Sequence, residues 1–235
     1  MTDYRAAERD LATNLRLERR PIAVAFLDSP PAGVEKFSGT EPSGCSFWRL
    51  ASAGKAFYTV ANDHYNCPIG AYTHNIPLPA DRAPELEQTV ALMAKIGYIR
   101  MEEIAGISTL PKTPGAVVYA PLGDTPVDPD VVILWGSANS IMLIEEAAVR
   151  AGITSQLQAL SRPTCMAVSA AMNSGMVVST ACVGNRVYTG ATDGELYAVV
   201  RGKDVARLAA EARTIASANA ALLEYHTERR SMLSE

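Results

Sequence analysis

Cys45, Cys67, Cys165 and Cys182 are the four cysteines of this 235-residue chain, and they are the residues best able to do chemistry. Their separations (67 − 45 = 22, 165 − 67 = 98 and 182 − 165 = 17) contain no C-x-x-C pair and no local chelate. Any shared site must therefore be assembled by the fold. Two stretches echo one another: GCSFWRLASAGKAFYTVANDHYNCPIG, and PTCMAVSAAMNSGMVVSTACVGN. In each, a cysteine follows small turn residues and opens a run of helix formers. That run reaches a glycine, Gly54 or Gly175; a short apolar or β-branched run follows, and then a second cysteine with a glycine close behind. The pattern predicts an imperfect internal duplication that brings four thiols to one place.

The expected positions give each thiol a role. Cys45 and Cys165 fall at helix N-termini, where free N–H groups and the positive dipole end favour thiolate. Cys67 and Cys182 fall in loop turns followed by Pro68 or by Gly184, where the backbone can approach an anion or a cluster sulfide closely. Four thiolates suit a 4Fe–4S iron–sulfur cluster, which is the leading expectation, or a closed zinc site. Haem is the alternative cofactor, because His64 precedes Cys67 by three residues and imidazole or thiolate can ligate haem iron. A plainer reading stands beside these: free cysteine often packs as a small buried hydrophobe. Arg186, four residues after Cys182, could hold a carboxylate or phosphate, although a structural ion pair is the commoner role. His74 carries the same ambiguity as His64. His226 reads as a surface residue, Asp63 as a turn former, and Trp48, Trp135 and Tyr188 as core or pocket walls. Asn139 and Ser140 open a helix after a strand, a place where open α/β sheets bind ligands.

The elements that must position these residues follow from periodicity and punctuation. Residues 3–18 read as an amphipathic helix, and 21–28 as a buried strand. Residues 29–43 are a Pro/Gly/Ser-rich loop. Helices are expected at 46–53, 85–98, 139–151 and 203–231, with a short one at 101–105. The last carries a Leu208, Ile215, Leu222 stripe. Strands are expected after Gly54, at 115–122, 130–137 and 195–200, and after Gly175. Residues 62–72 and 75–84 read as loops, and 154–161 (TSQLQALS) as a strand or turn. The alternation resembles βαβ grammar. It predicts an α/β (mixed α+β) fold: one domain over 1–235, forming a single compact body from two related, pseudo-symmetric halves, 20–110 and 115–235.

Composition bounds the function. A formal net charge of −4 and three histidines leave no basic stripe, which argues against nucleic acid. The polar start MTDYRAAERD has no apolar core for a signal peptide, and no stretch is long and apolar enough to span a membrane. The chain is expected to be cytoplasmic, where cysteines are reduced thiols or metal ligands. No G-x-S-x-G, Walker loop or G-x-G-x-x-G occurs.

PIAVAFLD, the cysteine opening GCSFWRLASAG, NCPIGA, and the late CMAVSAAMNSG–CVGNR region occur in an order that resembles the DUF169 family of bacterial and archaeal proteins. The resemblance runs from Pro21 to the last helix and implies this arrangement without implying a reaction. Three functions are therefore carried forward. The first is an iron-centre protein with a redox, sensing or small-molecule lyase-type role. The second is a haem protein using Cys67 or His64, and the third is a metal-free small-molecule-binding module. A small-molecule substrate or redox partner, and a homo-oligomer, are the partners these imply.

Overall fold

The computed structural model describes residues 2–157 and 162–233. Its centre is one seven-stranded sheet: β1 (Ile22–Leu27), β2 (Phe57–Thr59), β3 (Ala116–Pro121), β4 (Val131–Ser137), β5 (Ser155–Leu157), β6 (Met176–Thr180) and β7 (Glu195–Arg201), in the order β2-β3-β1-β4-β7-β6-β5. Every neighbouring pair is antiparallel except β5–β6. The fold is thus mixed α+β, and the βαβ grammar expected from sequence is confined to the β5 edge.

Helices cover both faces. Successive strand residues point to opposite sides, so Ala23, Val132, Leu134, Ala198 and Val200 meet one layer while Ile22, Val24, Ile133, Tyr197 and Val199 meet the other. The first layer holds α1 (Tyr4–Asn14), α5 (Ala138–Arg150) and the first half of α8 (Val205–Met232). The second holds α2 (Ser46–Ser52) and α6 (Met166–Ser174). α3 (Pro68–Thr73) packs on α6, and α7 (Val183–Thr189) packs on α2. α4 (Pro84–Lys95) and a 3-10 turn at Met101–Gly106 lie outside with no buried residue.

Several boundaries differ from the expectations. α1 stops at Asn14, because Arg16 takes a positive φ of 53° and turns the chain well before Pro21. Residues 62–72 are not a loop: a 3-10 turn covers Ala61–His64, and α3 starts at Pro68. Proline at a first helical position has no N–H to lose, and its fixed φ is already helical. α7 after Cys182 is likewise a helix where a loop turn was expected, and it ends on Gly190 at φ 75°. Of the 154–161 stretch, Ser155–Leu157 is the edge strand, and the rest lies outside the described residues.

The sheet order reads the same from either end of its first six strands: β2-β3-β1 followed by β4-β7-β6. The pairing registers agree. Phe57, Tyr58 and Thr59 pair with Tyr119, Val118 and Val117, while Val177, Val178 and Ser179 pair with Val199, Ala198 and Tyr197. A shift of 120 residues carries Phe57 to Val177, and the same shift carries Cys45 to Cys165 (177 − 57 and 165 − 45). Each half ends alike, with a 3-10 turn at Leu122–Asp124 after β3 and at Gly202–Asp204 after β7. Leu122 N–H donates to Pro21 O, and Gly202 N–H to Asp130 O, both at 2.8 Å.

Candidate functional site

Each cysteine stands at the N-cap of its own helix: Cys45 before α2, Cys67 before α3, Cys165 before α6 and Cys182 before α7. Four helix starts converge because the helices pack across the halves. α2 meets α7, which sets Cys45 toward Cys182; α3 meets α6, which sets Cys67 toward Cys165. All four are free thiols. Cys45 and Cys165 are buried, while Cys67 and Cys182 are half-buried and form the outer side.

The thiols lie within electrostatic reach of one another. Burial pushes Cys45 up to about 12, with Cys67 and Cys182 adding to the rise and the Ser43 hydroxyl opposing it. Burial also holds Cys165 well above the ordinary thiol range; Cys67, Cys45 and Cys182 add to this, and Thr73 opposes it. Without a cation these two sulfurs therefore keep their protons at neutral pH. Among the described residues, no three His, Cys, Asp or Glu side chains are placed to hold a metal ion as they stand. A single ion draws its ligands into one tight shell, whereas a multi-iron cluster spreads them over its corners.

Local contacts fix each sulfur. Ser43 Oγ lies 2.7 Å from Cys45 Sγ and also accepts the Cys45 N–H at 3.2 Å. Asn185 N–H donates to Cys182 Sγ at 3.4 Å, and Cys182 N–H donates to Thr164 Oγ1 at 2.7 Å. Gly70 permits the Cys67 rotamer, since a Cβ there would stand 2.8 Å from Cys67 Sγ. Gly184 faces open space by comparison, its nearest neighbour being Tyr188 Cε2 at 3.7 Å from an added Cβ. Arg186 forms an exposed ion pair with Asp193. Tyr188 is 43% exposed, so it is not a core residue. Asn139 and Ser140 start α5 on the opposite face of the sheet, which removes them from the site.

His64 is wholly buried, with its ring edge-on to Phe47 at 5.2 Å and to His74 at 5.9 Å. Its Nε2 lies 2.8 Å from Thr59 Oγ1, which is also 3.3 Å from Val117 O. Thr59 has one hydroxyl hydrogen, and with that given to Val117 O the imidazole Nε2–H donates to Thr59. His64 Nδ1 then carries the lone pair, on the side of Gly44, the residue before Cys45. That nitrogen, both nitrogens of His74 and the Tyr119 hydroxyl are buried with no hydrogen-bond partner among the described residues. Tyr119 senses Cys45, Cys165 and Cys67, which adds to the rise of its phenol caused by burial. Burial lowers His64 to about 3, helped by His74, and lowers His74 to about 4; both rings are neutral at pH 7. Across the site, Tyr197 donates to Asn185 Oδ1 at 2.9 Å, and Thr189 donates to Asn185 O at 2.8 Å.

Sequence reading singled out the cysteines and His64 but not Tyr119, Thr73 or Asn185, which lie beside them. Tyr119 sits in mid-strand and reaches the thiols only through pairing with β1 and β2, so no local pattern marks it. Asn185 had a signal, being three residues after a cysteine that caps a helix.

Together these features define a three-layered α+β domain, with helices on both faces of a mostly antiparallel sheet and four convergent free cysteines at helix starts. The chain belongs to the DUF169 family, described as "uncharacterised ArCR", whose family model matches residues 10–211. No curated protein and no solved structure matches the chain. No helix among the described residues is long and apolar enough to cross a membrane.

Proposed function

We propose that this protein carries an iron–sulfur centre on Cys45, Cys67, Cys165 and Cys182. The supporting observation is the convergence of four free thiols, 137 residues apart at the extremes (182 − 45), from both halves of the chain onto one neighbourhood. Packing alone does not call for this. Four hydrophobes at four helix starts would avoid the cost of burying sulfurs that call for partners such as the Ser43 hydroxyl and the Asn185 N–H. A set of four thiolates is a soft donor set suited to iron–sulfur ligation. Buried thiols held protonated favour loading by a cation that displaces the protons, so binding would be stronger at higher pH.

When bound, such a centre supplies one-electron chemistry or, with an iron left open, a Lewis acid. The chain's own residues would divide the remaining work. Tyr119 can donate a hydrogen bond toward the sulfurs, and His64 presents an acceptor through Nδ1. His74 presents a donor and an acceptor in its neutral form. The Phe26 ring, 5.4 Å from His74, and Phe47 keep water from that side. A small uncharged polar substrate suits that wall, because His64, His74 and Tyr119 are all neutral at pH 7. Cys67 and Cys182, the more exposed thiols, face the route to solvent or to a redox partner. A cytoplasmic location, where thiols stay reduced, accords with this reading.

Haem ranks below this reading, since His64 is enclosed by Phe47, His74 and Tyr119. Zinc would need the sulfurs drawn into a single tetrahedral shell. The metal-free module is favoured only by the burial of Cys45 and Cys165 in the apolar core. Anaerobic reconstitution with iron and sulfide separates the readings. About four irons and four sulfides per chain support the cluster. A haem spectrum, stoichiometric zinc, or a colourless chain that takes up no metal would reject it.

A further inference from the structure

The two halves differ most in one connection. Residues 190–194 join α7 to β7, whereas residues 74–115 join α3 to β3. The roots of the longer connection are pinned together. Leu110 N–H donates to Thr73 O at 3.0 Å, Asn75 Nδ2 donates to Leu110 O at 3.2 Å, and Thr113 Oγ1 donates to Asn75 O at 2.6 Å. Ile76 and Leu110 are each 3% exposed, and residues 77–109 between them, all described, include no buried residue. α4 lies in this stretch, with Leu86, Val90 and Met93 half-buried along one side at helical spacing. A segment anchored at both roots and buried nowhere between them opens at low local cost, because few apolar contacts are lost.

The stretch lies over one side of the thiol site. Arg82 Nη1 donates to Asn66 Oδ1, beside Cys67, at 3.1 Å. Arg162, three residues before Cys165, reaches Glu103 at 3.6 Å and lies over the Tyr98 ring at 4.6 Å. Ser169 Oγ, four residues after Cys165, donates to Ser108 O at 2.8 Å. These contacts straddle the starts of α3 and α6. That is the side on which His64 Nδ1, both nitrogens of His74 and the Tyr119 hydroxyl are buried without partners among the described residues. His74 itself closes α3 at the root of the stretch. Surface ion pairs and hydrogen bonds exchange with water at little net cost, so such ties suit a reversible latch.

We propose that residues 77–109 are a lid. They lift about the pinned Asn75–Leu110 root to admit a small uncharged polar ligand to the His64–His74–Tyr119 wall, and they close over Cys67 and Cys165 once it is bound. This rests on the substrate reading of that wall and holds whichever metal the thiols carry.

Thiol alkylation of the reduced, metal-free full chain tests this, with iodoacetamide as the probe and peptide mass mapping as the readout. Cys45 and Cys182, on the other side, are the internal control. Replacing residues 77–109 with a short Gly/Ser connector, which the pinned root permits, should speed labelling of Cys67 and Cys165 at least about tenfold. Labelling of Cys45 and Cys182 should stay at the wild-type rate. Arg82→Ala with Glu103→Gln cuts two ties in the full-length chain and should give a smaller rise at the same two cysteines. Wild-type rates at Cys67 and Cys165 in the folded connector variant overturn the lid, and so does an equal rise at all four cysteines. Should the connector variant not fold, the same two outcomes in the Arg82–Glu103 variant decide. No iron is added, so a failed iron reconstitution would reject the cluster and leave this result standing.

Discussion

The two sides of the thiol site are built from equivalent elements and finished differently. On the α2–α7 side, Tyr197 is tied to Asn185, and Cys182 caps α7 through Asn185 N–H. On the α3–α6 side, Tyr119, His64 and His74 present four buried polar atoms without partners among the described residues. Their backbones follow the same strand order and register. The first side commits Tyr197 and the N–H and Oδ1 of Asn185 to holding structure, although Ser46 Oγ, Trp48 Nε1 and Asn185 Nδ2 there also lack partners among the described residues. The second instead gathers two imidazoles and a phenol, groups able to donate or accept, and unpaired buried groups are costly and rarely kept without a use.

The largest effect that sharpens this contrast is the acid response. His64 and His74 have lowered folded-state values, about 3 and about 4, so the unfolded chain binds their protons first. Stability should fall as pH drops from about 6.5 toward 4, with each ring contributing a slope of up to about 1.4 kcal/mol per pH unit. His74→Phe removes a ring with no hydrogen bond to lose. It should flatten urea-derived stability over that window, by about 3 kcal/mol at pH 4; an unchanged acid limb would contradict a neutral buried His74.

The glycines behind the outer cysteines give the next contrast. Gly70→Ala forces a Cβ against Cys67 Sγ and should cost about 1–3 kcal/mol while lowering iron uptake. Gly184→Ala meets only Tyr188 Cε2, at an ordinary contact distance of 3.7 Å, and should be neutral or stabilising by up to about 1 kcal/mol. Thermal melts of the two variants side by side decide this, and equal costs would erase the difference between the two sides.

The tyrosines give the smallest effect. Tyr197→Phe removes the hydrogen bond to Asn185 and should cost about 1 kcal/mol. Tyr119→Phe removes a hydroxyl with no partner, so the metal-free protein should be as stable as before or slightly more so. In the loaded protein the Tyr119 variant should shift the reduction potential, and the Tyr197 variant should leave it in place. Protein-film voltammetry reads that difference.

Much of this could be seen in the chain itself. The paired contexts around Cys45 and Cys165 were visible because helix, glycine and strand recur in one order at nearly one spacing, with nine residues from cysteine to glycine in the first and ten in the second (54 − 45 and 175 − 165). The antiparallel sheet was hidden by its own burial. AVVYAP and VVILWG are apolar on both faces because helices cover both, so they lack the alternation that marks an antiparallel strand. α3 and α7 were missed because six- and seven-residue helices carry too few turns for periodicity to show. The histidine–tyrosine wall was illegible because it joins the Ala61–His64 turn, the end of α3 and the middle of β3, which only tertiary packing brings together.

The shared-site claim is tested most directly by anaerobic iron and sulfide analysis of the four single Cys→Ser variants, reconstituted in parallel with the wild type. A centre spanning both halves predicts that Cys165→Ser and Cys45→Ser each lose bound iron, despite lying in different halves. Wild-type loading in Cys165→Ser, with its fold intact by circular dichroism, would contradict it.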